Sequence, residues 1–272
     1  MFGNVSKPSL ATLLLCKITE SGTRGEVCAV LNSCFILKPF HPPLRFHEQY
    51  IAAVKKWATT SPPSSIQPLG KAFRNFTEYG ITDTMLEVLE CMEAITLAID
   101  HYLQGKPGGL TLGQIVRTRT GIQKRLLLLP TAKELNISIN IVNKPSCRPN
   151  LYECCRLTAM IFSIAVIFPI PSTYDVLQTL VRELIASLEV TDIESYSEDC
   201  SWVLLWMLVL GGIAALDKPE RPWFVSNLVL SVERLKLDWD GAEAILKTFL
   251  WLESACSPGG RQLWDEVMSF IG

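Results

Sequence analysis

Charged residues are scarce: Asp, Glu, Lys and Arg make up 19% of the 272 residues, against about a quarter in an average soluble chain. The formal charge is -2, so there is no electrostatic basis for gripping a polyanion, which requires clustered Lys and Arg. The best basic cluster, Arg117, Arg119, Lys124 and Arg125, is expected to be a solvated helix face. Histidine is scarcer still. His41, His47 and His101 are the three imidazoles, none has a nucleophile or ligand nearby in sequence, and His47-Glu48 lacks the second His of a zinc-protease helix. The chain has no GxSxG elbow, no P-loop and no GxGxxG, and Gly105-Lys106-Pro107-Gly108-Gly109 has the look of a helix-ending turn. No catalytic residue, cofactor site or metal site is therefore expected.

Nine cysteines, at 16, 28, 34, 91, 147, 154, 155, 200 and 256, are odd in number and lack any CxxC pair, which argues against a disulfide framework and against zinc. The adjacent Cys154 and Cys155 lie in an apolar helical pattern and are expected to be buried small hydrophobes. Leu10 to Cys16 is apolar but short, more like a first helix than a signal peptide. The longer apolar runs, Leu157 to Pro171 and Trp202 to Leu216, contain Pro or Gly pairs and fall short of the ~20 residues a membrane span needs; they read as core helices. Carboxylate pairs such as Glu87 and Glu90, or Asp265 and Glu266, are expected to be solvated helix charges. The N-x-S/T triplets at Asn4, Asn75 and Asn136 matter only in a secreted protein.

Apolar residues are abundant, at 49%, and their spacing is helical throughout. Prolines at 39, 42, 43, 62, 63 and 68 break the N-terminal third into short helices, with Phe46–Thr59 and Gly70–Gly80 as candidates. Thr82–Leu103 is the first strong helix, since Met85, Leu89, Met92, Ile95 or Thr96 and Ile99 recur at three- and four-residue intervals. A helix over Thr111–Leu129 follows, then a loop-like stretch over Thr131–Pro149. From Asn150 onward the pattern predicts six helices. Asn150 with Glu153 forms a capping box, with an end at Pro169 and Pro171; Ser172 with Asp175 opens the next, to Leu188. Ser197–Leu216 is closed by Asp217 to Pro219; the following helix starts near Glu220 with Pro222 early; Asp240 with Glu243 opens one to Leu252; and Ser257 to Gly260 breaks before Arg261–Ile271. Trp202 and Trp206, four apart, read as a core stripe. The expectation is a single all-α, multi-helix, bundle-like unit over 1–272, less regular over 1–149 and best defined over 150–272.

Three segments carry a resemblance: LYECCRLTAMIFSIAVIFPIP (Leu151 to Pro171), WVLLWMLVLGGIAALDKPERPWFVSNL (Trp202 to Leu228) and ILKTFLWLESACSPGGRQLWDEV (Ile245 to Val267). In sequence and order they resemble the helical regulatory domain of fungal six-cysteine zinc-cluster transcription factors, clearly over Leu151 to Val267 and faintly over Gly113 to Pro130. Members of that family begin with six cysteines holding two zinc ions, and here Cys28 and Cys34 have one fitting gap without a CxxC beside it. The resemblance thus implies a nuclear transcription regulator, frequently set in secondary-metabolism gene clusters. It implies no enzyme and no sequence-specific nucleic-acid binding of the chain's own. It further implies a protein partner, either a second copy or another transcription regulator, with no membrane; a small-molecule effector is a further expectation. The alternatives are an inactive truncated relic of such a factor, or a small-molecule binder or enzyme of the same pathway.

Overall fold

Apolar side chains at three- and four-residue spacing make each helix one-sided, and a one-sided helix must bury that side against another. The computed structural model describes residues 45–60, 70–135, 151–168, 176–191 and 198–271. Readings that fall elsewhere lie outside the described residues: the Leu10–Cys16 helix, the proline breaks, His41, Asn4, Asn136, the caps at Asn150 and Ser172, and Cys16, Cys28, Cys34 and Cys147. Among the described residues the structure is all-α, without strands. Helices α1 (Arg45–Thr60), α2 (Asp83–Leu103) and α3 (Leu112–Leu127) pack on one another. A second group comprises α4 (Leu151–Phe162), α5 (Val176–Glu189), α6 (Glu198–Ala214), α7 (Arg221–Leu235), α8 (Trp239–Leu246) and α9 (Glu253–Ile271). One continuous apolar cluster runs through both groups.

Helix α6 is the axis of the second group. It packs against α4, α5, α7, α8 and α9, and the run Val203–Leu210 is buried on every side, as expected for a helix apolar all round. Gly211 and Gly212 lie inside it rather than ending it, because each is a point of closest approach. A Cβ on Gly211 would collide with the Phe224 ring, and one on Gly212 would meet Leu263 at 2.5 Å.

Several boundaries differ from the sequence expectation for identifiable reasons. Gly70–Gly80 is a 3-10 helix over Lys71–Tyr79, not an α-helix, bracketed by left-handed glycines at φ 73° and 102°. Three residues per turn align Phe73, Phe76 and Tyr79 on one side. Phe73 stands edge-on to Trp206 and Phe249 at 5.1 and 5.2 Å, and Phe76 lies 6.3 Å from Phe249. Thr111 and Gln114 cap α3 reciprocally, while the cap of α8 lies two residues before the expected Asp240, with Asp238 accepting from the Gly241 amide at 2.8 Å. Glu243, expected to complete that cap, instead pairs with Lys247 and accepts from Ser257. That helix also stops at Leu246, well short of Leu252.

The expected break at Ser257 to Gly260 is absent, since α9 runs through Pro258 without interruption. The glycines there serve packing: a Cβ on Gly260 would lie 2.6 Å from Trp239 and 3.1 Å from Trp251. Gly260→Ala is therefore expected to destabilise by about 1–3 kcal/mol through overpacking. Gly113→Ala, with nothing within 4 Å of its Cβ, should stabilise by up to ~1 kcal/mol through helix propensity. Urea midpoints of the two variants moving in the same direction would contradict this account.

Candidate interaction surface and its polar supports

Among the described residues, both histidines and several cysteines are built into the packing. His47 is buried, and desolvation lowers its pKa despite a neighbouring backbone hydrogen bond. His101 stacks edge-on against Trp57 at 5.2 Å, and Gly109 lies so close that a Cβ there would meet its Nδ1 at 2.5 Å. The glycine-rich segment is a helix-ending turn, with Gly105 and Gly108 at positive φ and the Gly108 carbonyl accepting from the Trp57 indole at 3.1 Å. Burial pushes the thiols of Cys154 and Cys155 well up and that of Cys256 up to about 12, which removes thiolate nucleophilicity. Among the described cysteines Cys91, Cys154, Cys155 and Cys256 are free and buried, and Cys200 is disulfide-bonded. No group of His, Cys, Asp and Glu among the described residues could hold a metal ion. No described helix is long and apolar enough to cross a membrane.

The basic cluster is the solvated face expected of it only in part: Arg117 is exposed and Lys124 half-buried, whereas Arg119 is buried. Arg117 donates to the Tyr50 hydroxyl, Arg119 is buried over the Phe168 ring at 4.5 Å, and Arg125 bridges Glu48 and Glu87. The carboxylate pairs are likewise divided. Glu87 goes to Arg125, whereas Glu90 takes Arg74 and Lys55, whose attraction outweighs burial and lowers its pKa.

Three arginine–carboxylate clasps hold the second group, two of them between its helices and one tying α4 to the turn before it. Arg156 in α4 pairs with Glu153, whose other bond is to the Ala132 amide at 3.0 Å, tying α4 to the Thr131–Leu135 turn. Glu220 accepts from Gln178 and Arg182 of α5. Arg221 holds both Glu266 oxygens, at 2.9 and 2.7 Å, and the Gly212 carbonyl at 2.6 Å, locking α6, α7 and α9 together. A fourth polar contact, Ser163 to Gln123, sits where α4 widens into the π turn Ser163–Ile167 against α3.

What the locked helices present outward is a groove of about 290 Å³ between α6 and α7, lined by Ser201, Leu204, Asn227, Leu230, Ser231, Arg234 and Leu235. Trp202, next to Ser201, is 51% exposed and Leu230 55%. The expected tryptophan stripe is thus divided. Trp206 is fully buried, stacked on Phe249 at 5.7 Å with its indole N–H on the Leu250 carbonyl, whereas Trp202 faces outward. In a helix apolar all round, four-residue spacing does not tell which side is left open.

A family model described as a fungal specific transcription factor domain matches residues 96–254, more than half of the chain. The match begins in the middle of α2, earlier than the resembling segments, and stops at the first turn of α9. Comparison with curated proteins and with solved structures gives no match.

Proposed function

This chain belongs to the family of fungal specific transcription factor domains, and from that premise we propose that it regulates transcription in the nucleus through protein contacts made by its helical domain. The observation that carries this reading is the family match over α2 to α9; the exposed Leu230 lining the groove between α6 and α7, and the exposed Trp202 on α6, support it. Tryptophan and arginine are enriched at the energetic centres of protein interfaces, and the exposed Trp202 and the groove residue Arg234 supply both. The partner is a second copy of the chain or another transcription regulator. Secondary-metabolism genes are the proposed targets, as the family's frequent setting.

The test is transcript profiling of a strain lacking the protein, complemented by wild type or by Trp202→Ala/Leu230→Ser, together with chromatin occupancy of a tagged form. The reading expects a defined set of transcripts to change on deletion, to return with wild type, and not to return with the variant. Unchanged transcripts and no chromatin occupancy would overturn the regulator, leaving a folded relic. Full complementation by the variant would overturn the contact surface.

A further inference from the structure

The 3-10 helix Lys71–Tyr79 is held to the rest of the fold by its backbone, by two phenylalanines and by the Arg74–Glu90 ion pair at 2.7 Å. Its entry is hinged at left-handed Gly70. Two backbone hydrogen bonds, Gly70 to the Phe249 carbonyl at 3.2 Å and Ala72 to the Thr248 carbonyl at 3.3 Å, dock it on the turn after α8. Phe73 and Phe76 enter the aromatic cluster of Trp206 and Phe249. Against the hinge lies Glu93 of α2, so close that a Cβ on Gly70 would be 3.0 Å from its Oε2 and 3.4 Å from its Cβ. Glycine is required there both for the backbone angle and for this carboxyl.

We infer that Glu93 is a proton-operated latch: protonated, it lets the 3-10 helix sit on the aromatic cluster, and ionised, it weakens that docking and uncovers the faces of Trp206 and Phe249. The charged groups acting on Glu93 are Glu90 on its own helix, and Lys71 and Arg74 on the 3-10 helix. Glu90 is already held by Arg74 and Lys55, and no ion pair to Glu93 forms among the described residues. Lys247, in the turn the 3-10 helix docks on, is taken by Glu243 and Glu253. Burial first, then the charge of Glu90, push the Glu93 carboxyl up to about 7 from 4.5, with Lys71 and Arg74 pulling the other way.

The sign follows from that direction. An undocked Glu93 is hydrated and returns toward its ordinary value, so the docked state binds the proton more tightly. Docking is fully favoured below 4.5 and loses stability as pH rises to about 7. One linked proton limits the change to about tenfold in the docking equilibrium per pH unit. The linked proton is therefore released at a higher pH than an ordinary carboxylate releases its own.

Hydrogen exchange of the whole chain tests this. Protection of the 71–79 amides, corrected for intrinsic exchange and referred to Val203–Leu210 in α6, is expected to fall several-fold or more between about pH 5 and pH 7.5. In Glu93→Gln it should stay high and level. Level protection in wild type would overturn the latch, as would a fall equally steep in Glu93→Gln. The wild-type profile alone decides the matter should the variant fail to fold.

Discussion

Trp206→Ala is expected to cost about 3–5 kcal/mol, a large part of the roughly 5–15 kcal/mol that holds a typical domain together. The side chain is fully buried, its N–H is satisfied by the Leu250 carbonyl at 2.9 Å, and its ring contacts both Phe73 and Phe249. Truncation leaves a cavity at the junction of α6, the 3-10 helix and the turn after α8, together with a carbonyl that has lost its donor. Trp206→Phe should recover most of the packing but not the hydrogen bond, and so fall between. Trp202→Ala, four residues away and half exposed, should change stability by no more than about 0.5 kcal/mol. Chemical denaturation that ranked the two alanine variants equally would refute the division between a structural and an outward-facing tryptophan.

Arg221→Ala is expected to remove about 2–4 kcal/mol. The arginine itself is buried and makes three hydrogen bonds, but Glu266 is 38% exposed and can regain water when its partner goes, which keeps the cost below that of a fully buried pair. Arg221→Lys should rescue little, because one ammonium cannot reproduce a planar fork on Glu266 and reach the Gly212 carbonyl as well. The pH dependence has the opposite sign to that of Glu93. Arg221 holds the Glu266 carboxyl below its usual 4.5, so the clasp contributes fully above that value and is lost as pH falls through the depressed one. The gap between the urea midpoints of wild type and Arg221→Ala should therefore narrow in acid; a constant gap would show that Arg221 acts through packing and its bond to the Gly212 carbonyl rather than through Glu266.

Much of the helix pattern was legible because a helix with one wet face writes its period into the sequence. Met85, Leu89, Met92, Ile95 and Ile99 of α2 are all buried, and Thr82 caps that helix by accepting from the Met85 amide. Legibility failed where glycine had two meanings. Gly259-Gly260 reads as a break, yet the pair lies within α9, where Ile213, Trp239 and Trp251 approach it closely. It failed again at the π turn, since an unbroken apolar run carries no phase to betray an extra residue per turn. The clasps were hidden for a different reason. Arg221 within Asp217-Lys218-Pro219-Glu220-Arg221 looks like one more surface charge, and only the fold brings Glu266 to it. Nor could the local pattern announce Trp202 as outward-facing, because which side of α6 is left uncovered depends on its neighbours.

The bonds from Gly70 and Ala72 to the Phe249 and Thr248 carbonyls join parts of the chain separated by most of its described length, whereas the other turn and capping backbone bonds are local. Closing so long a loop carries a large entropic cost that the local helix contacts of α1 to α3 do not bear. This junction should accordingly form late in folding and open early under strain, before the α6 core loosens. A chain caught at that stage would keep nearly all its helix while presenting Trp206 and Phe249 to whatever lies nearby, so self-association would begin here rather than by global unfolding.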